Sequence, residues 1–143
     1  MGLGFLYNDT VTLYNKSIDK QTGEEHWFPT LIEGASLLFK LNTTVDKNGK
    51  KSADEAKLFV DTCTLQKPYA KPKEWNDMPD DQKAVSFTFN VLEDFFVEGN
   101  TMDTAILQQG FYEWMRNHYD NVFKIVKAEQ YKNLMPHFEV RGV

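Results

Sequence analysis

The residues able to do chemistry are few, and their spacing keeps them apart. The three histidines, His26, His118 and His137, fall on three different stretches without HxxxH or HxH spacing, so a metal site would need a convergence that the sequence does not announce. The single thiol, Cys63, cannot close an internal disulfide and no CxxC pair exists, which reads as packing in a reducing compartment. Adjacent carboxylates occur, as at Glu24 and Glu25, Asp80 and Asp81, and Glu93 and Asp94. Neighbours on a strand point to opposite faces and those in loops are solvated, so such pairs make poor acid-base partners. An enzymatic reading would rest on Glu93, Asp94 and Glu98, with nothing in their spacing to support it beyond the presence of acids. Gly2 and Gly4 in "MGLGF" lack the preceding strand, following helix and Lys-Ser/Thr pair of a phosphate cradle. The expectation is a chain without catalytic residues, cofactor or metal.

Composition narrows the class. A chain of 143 residues fits one domain. Its 41% apolar and 26% charged residues belong to an ordinary globular protein. The aromatic share of 14% favours strands and leaves large side chains available for subunit contacts. A net charge of -5 without a basic stripe argues against sequence-specific nucleic-acid binding. No apolar run reaches the roughly 18 residues of a membrane-spanning helix, and the start lacks the basic flank of a signal peptide, so a cytosolic chain is expected.

The elements follow from periodicity. "TVTLYNK" alternates, Val11 and Leu13 against Thr12 and Tyr14, as a half-buried strand does. "SIDKQTGEE" supplies a turn before "HWFPTLI", which predicts a hairpin with a longer loop. Pro29 cannot donate to a ladder and should lie at an edge or a bulge. After Gly34, "ASLLFKL" reads as a third extended segment, and residues 42–56 as a long mobile loop around the Asn48-Gly49 turn pair. "KLFVDTCTL" alternates again. Pro68, Pro72 and Pro79 then limit helix to a short turn over 73–78. "AVSFTFN" and "DFFVEGN" predict two further strands. Over 103–119 the pattern changes, with Leu107, Phe111, Trp114 and His118 at three- and four-residue intervals, flanked by Ile106 and Met115, which predicts a helix capped by Asp103. Gly110 within it would cost about 1 kcal/mol, a hint of close packing on a sheet. "NVFKIVKAE" and "HFEVRGV" form a closing hairpin. The sum is a mainly β (α+β) fold, a small antiparallel β-barrel with one substantial helix packed on it.

The order of these segments carries a resemblance. "DTVTLYNKSID", "TGEEHWFPTLIEGASL", "YAKPKEW", "DFFVEGN" and "VFKIVKAEQYKNLMPHFEVRG" together resemble the minor capsid or head-tail connector proteins, some of head-closure type, of tailed phages and prophages of Gram-positive bacteria. It covers nearly the whole chain and departs from the expected pattern at "EDFFVEGN", where aromatic residues replace a more usual Gly-Asp turn. It implies a small barrel that stacks into a dodecameric ring between portal or adaptor and tail, in the virion and, during assembly, in the host bacterial cytoplasm. DNA would pass through such a ring, and an acidic lumen would let it slide. Within this reading Trp27, Pro29 and Trp75 are candidate subunit contacts, and Lys47, Lys50 and Lys51 sit in a loop that would order on assembly. Trp75 and Trp27 could equally pin the loops they sit in, and Trp114 reads as core. A second reading stays open, a small-ligand or peptide-binding barrel with an aromatic-lined cavity.

Overall fold

The computed structural model describes residues 8–41, 53–62, 65–102, 110–133 and 135–143. Among these residues six strands and three short helices follow in the order β1 Asp9–Ile18, β2 Glu25–Leu41, β3 Ala53–Asp61, α1 Pro72–Asn76, α2 Asp80–Lys83, β4 Phe95–Glu98, α3 Phe111–His118, β5 Val122–Tyr131 and β6 His137–Gly142. The strands close a barrel in the order β1-β2-β3-β6-β5-β4, and every pairing is antiparallel. The closing hairpin of β5 and β6 completes it, with β6 laddered to β3 on its other side. This is the mainly β barrel that the alternating runs predict.

One strand does the work expected of two. β2 runs unbroken for 17 residues. Its register with β1 jumps from Thr10 opposite Glu33 to Asp9 opposite Ala35, so Gly34 is the extra residue of a bulge, at a φ of +72°. Bulges bend a strand and sharpen its twist, and Gly accepts that backbone at little steric cost. Upstream of the bend β2 pairs with β1, and from Ala35 onward it pairs with β3. Pro29 lies in the upstream half, which is laddered only to β1 among the described residues. That is the edge position its missing N–H demands.

Two expected boundaries need correction. Residues 53–56, read as loop, belong to β3, because the inward alternation of Ala56, Leu58 and Val60 starts earlier than the polar outward residues suggest. The predicted strand over "AVSFTFN" makes only one parallel bridge, Phe87 to Tyr69. Ser86, Phe87, Thr88 and Phe89 are all buried, while Val85 is exposed. The segment is extended but serves as a plug: Phe87 and Phe89 enter the barrel core, where rings of Phe89 and Phe138 lie 5.2 Å apart and Tyr69 and Phe138 4.7 Å apart. Alternation fits an extended chain, but a ladder also needs a neighbouring strand, and here side chains take its place.

A second core lies on the barrel's outer wall. Tyr14, Trp27, Phe95, Val97 and Val122 meet Phe111 and Met115 of α3. β1 is therefore buried on both faces from Val11 to Asn15, with the helix covering its outer side. Within the described residues the helix begins at Phe111, after Gly110 at a φ of +79°. Gly110 is thus its N-terminal boundary rather than an interior residue. No heavy atom lies within 4 Å of where its Cβ would stand, so backbone conformation, not close packing, selects glycine there. Asp103, Ile106 and Leu107 lie outside the described residues.

Gly142 closes the barrel at its tightest point. A Cβ there would stand 2.6 Å from Phe123 Cβ and 2.8 Å from Phe96 Cε1. Gly142→Ala should lower stability by roughly 1–3 kcal/mol through overpacking, read as a lower urea midpoint at unchanged slope. A change under about 0.5 kcal/mol would show that this junction is not tightly packed.

Candidate functional site

The most completely built polar centre of the molecule is a buried carboxylate. Asp94 immediately precedes β4 and is fully buried. Its Oδ2 accepts from Asn15 Nδ2 at 2.7 Å and from the Asn90 backbone N–H at 2.7 Å, and its Oδ1 accepts from the Lys16 N–H at 2.9 Å. Asn15 Nδ2 also donates to the Thr88 carbonyl at 2.6 Å, while Asn15 Oδ1 accepts from the Thr88 N–H at 3.4 Å. One amide and one carboxylate thus fasten the plug to β1. Burial pushes the Asp94 carboxyl up to about 7, against the opposing pull of the N–H groups of Lys16 and Asn90 and the Asn15 amide.

Reaction chemistry does not follow from this centre. Glu93 turns outward to Lys16 Nζ at 3.4 Å, and Glu98 accepts from Asn121 Nδ2 at 3.1 Å on the surface. The three acids do not converge on one point. Asp94 acts instead as a structural clamp, a role invisible in sequence because burial of a carboxylate in a polar-looking turn has no local signature.

The predicted subunit contacts divide sharply. Trp75 is 0% exposed and Trp27 4%, which favours the reading in which each pins the segment that carries it over a subunit contact. Trp27 packs edge-on against Phe95 at 5.0 Å and donates from Nε1 to Glu25 Oε2 at 3.0 Å. Trp75 meets Phe28 edge-on at 5.8 Å and anchors the proline-rich segment. Large aromatics in irregular chain here are pins, because backbone without a ladder needs side-chain burial to stay fixed. Pro29 is half-buried, and its carbonyl accepts from Lys67 Nζ at 3.1 Å. Lys47, Lys50, Lys51 and Cys63 lie outside the described residues. Trp114 is half-buried and stacks on exposed His118 at 4.0 Å. The histidines stay apart, and no group of three or more potential metal ligands occurs among the described residues.

The hairpin between β5 and β6 carries a feature that sequence reading missed. His137 Nδ1 faces the Met135 carbonyl at 2.9 Å and Nε2 faces Glu139 Oε2 at 3.0 Å. Both ring nitrogens meet acceptors, so the charged imidazolium satisfies both. The Met135 carbonyl raises its pKa above the ordinary histidine value, burial opposes, and Glu139 and Asp61 add to the rise. Tyr131 lies parallel to the ring at 4.9 Å. Beside it Met135 has a φ of +55° and is 60% exposed. The spacing in "HFE" places His137 and Glu139 on one strand face, and that was the available signal.

Two pH dependences follow. For Asp94 the folded pKa lies above the ordinary 3.8, so its contribution is complete below 3.8 and is lost as pH rises through about 7. Urea unfolding of wild type and Asp94→Asn should therefore diverge with pH, wild type losing stability relative to the variant between pH 4 and pH 8; parallel profiles would refute the burial of an ionisable carboxyl. For His137, also raised, stability is likewise lost as pH rises through its folded pKa. An NMR titration should place His137 above the ordinary 6.5, and Glu139→Gln should lower it; an unmoved value would separate the two residues.

Residues 6–143 match a protein family described as a family of unknown function, DUF6751. No curated protein and no solved structure matches the chain.

Proposed function

We propose a function for this chain from the premise that it belongs to the DUF6751 family: a non-enzymatic structural protein of the head-tail junction of a tailed phage, assembling into a ring between portal or adaptor and tail. The support is the resemblance in segment order together with the way the barrel is filled. Its interior is occupied by Phe87, Phe89, Phe96, Phe123 and Phe138, with neighbouring rings 5.2–6.4 Å apart where they meet. A filled interior directs the chain's interactions to its outer wall and rims, which is where a ring subunit meets its neighbours. That packing is the single observation that carries the reading. The partners are further copies of the chain and the adjoining portal, adaptor and tail proteins, in the virion and, before that, in the host cytoplasm. DNA would pass through the ring without being read in sequence.

The rival reading, a barrel that binds a small ligand or peptide in an aromatic-lined cavity, needs an enclosed space that these rings fill. Peptide capture on the outside would survive this objection, but nothing in the packing favours it over contact between copies.

Light scattering at rising concentration, followed by negative-stain imaging, tests the proposal. Rings of many copies are expected, and flanking genes for portal, major capsid and tail-tube proteins should accompany them. A monomer that persists to millimolar concentration and carries a small molecule through native mass spectrometry would overturn it in favour of the ligand-binding barrel.

A further inference from the structure

A buried charge ordinarily has a full set of partners, and two enclosed charged side chains of this protein, Asp94 and Lys83, differ in that respect. Asp94 has its three N–H donors. Lys83, at 6% exposure, has one hydrogen-bond partner among the described residues: its Nζ donates to Ser17 Oγ at 2.8 Å and lies 5.0 Å from the centroid of the Trp75 ring. Among the described residues no carboxylate stands within salt-bridge distance of it. An ammonium carries three N–H donors, so a hydroxyl and an aromatic face leave donor capacity over. Burial draws the Lys83 pKa below the usual lysine value, while Asp80 and Asp77 pull it back.

The ammonium sits on the wall of a groove of about 430 Å³ between the β1–β2 turn and the two short helices. Lys20, His26, Asp77 and Asp80 also line it. Asp19 lines it too, but its carboxylate already accepts the Gln21 and Thr22 N–H groups of its own turn. Asp77 is held only loosely, 3.9 Å from Lys20 Nζ with both side chains at least 80% exposed. The groove therefore offers spare N–H donors on its wall and carboxylates at its rim. A polyanion would be repelled by that rim, and a simple cation by the wall.

We propose that this groove binds a small zwitterion of the amino-acid class, its carboxylate held by Lys83 Nζ beside Ser17 and its cationic group set against Asp77 and Asp80. The assignment goes beyond the ring reading and stands without it, since it uses one copy of the chain. Lys83 and Ser17 supply the hydrogen bonds, the Trp75 ring faces the ammonium, and the rim aspartates select against ligands that carry only negative charge.

NMR titration of the full chain tests it, with the Trp75 indole N–H as reporter and glycine, acetate and inorganic phosphate as probes. Glycine is expected to shift the reporter saturably and to bind roughly two- to fivefold more tightly than acetate, the range expected of one partly exposed charge pair. Lys83→Met should abolish both responses. Asp80→Asn, a surface change that leaves the fold intact, should retain acetate binding and lose the preference for glycine. Absence of a saturable shift in the wild type, or tighter binding of phosphate than of glycine, would overturn the assignment. Should Lys83→Met fail to fold, an unchanged glycine-to-acetate ratio in Asp80→Asn would overturn it equally.

Discussion

The barrel depends on one carboxylate being kept out of water and still satisfied. Desolvating an ion costs several kcal/mol, and three N–H donors from β1, the plug and an asparagine side chain offset it. What the arrangement secures is position. The plug's backbone makes a single bridge, at Phe87, so beyond it the segment is held by Asn15 and Asp94 acting as a surrogate strand. With the plug in place Phe87 and Phe89 fill the axis, and the strands around them have something to close upon.

The outer core continues the same logic. β4 and β5 pair over only a few residues, Phe95 to Val97 against Val122 to Lys124, which makes this the narrowest seam of the barrel. α3 lies over that region, and Phe111 and Met115 bury Phe95, Val97 and Val122 beneath it. Tyr14 reaches across from β1, stacks on Phe95 at 5.0 Å and hydrogen-bonds Thr101. A short seam contributes few backbone hydrogen bonds, and aromatic burial on the outside compensates for it.

Much of this was legible in the residues. Period-two alternation marked β1 and most of β3, β-type residues bounded by turn signals marked both halves of β2, β4 and the closing pair, and Pro29 called for an edge or a bulge. The reading went astray where tertiary context overrode local pattern. "AVSFTFN" alternates like a strand, yet whether a partner strand lies alongside is a property of the whole fold. Trp75 sits among prolines and polar residues, so its burial could not be inferred from its neighbours. The same limit hid Asp94 and Lys83, two charged residues in polar stretches whose enclosure is decided by segments more than sixty positions away. Sequence periodicity reports which face of an element is apolar, and it is silent on which polar side chains the final packing traps.

The bulge at Gly34 has a consequence for how faithfully the chain assembles its sheet. Because a single strand is shared by two ladders, sliding β2 by one position against β1 would also turn every β3-facing side chain of its downstream half to the wrong side. Misalignment on either flank is thus penalised twice, and the kinked backbone at Gly34 can be accommodated at one place only. The glycine works as an index mark: it fixes the alignment of three strands with a single residue.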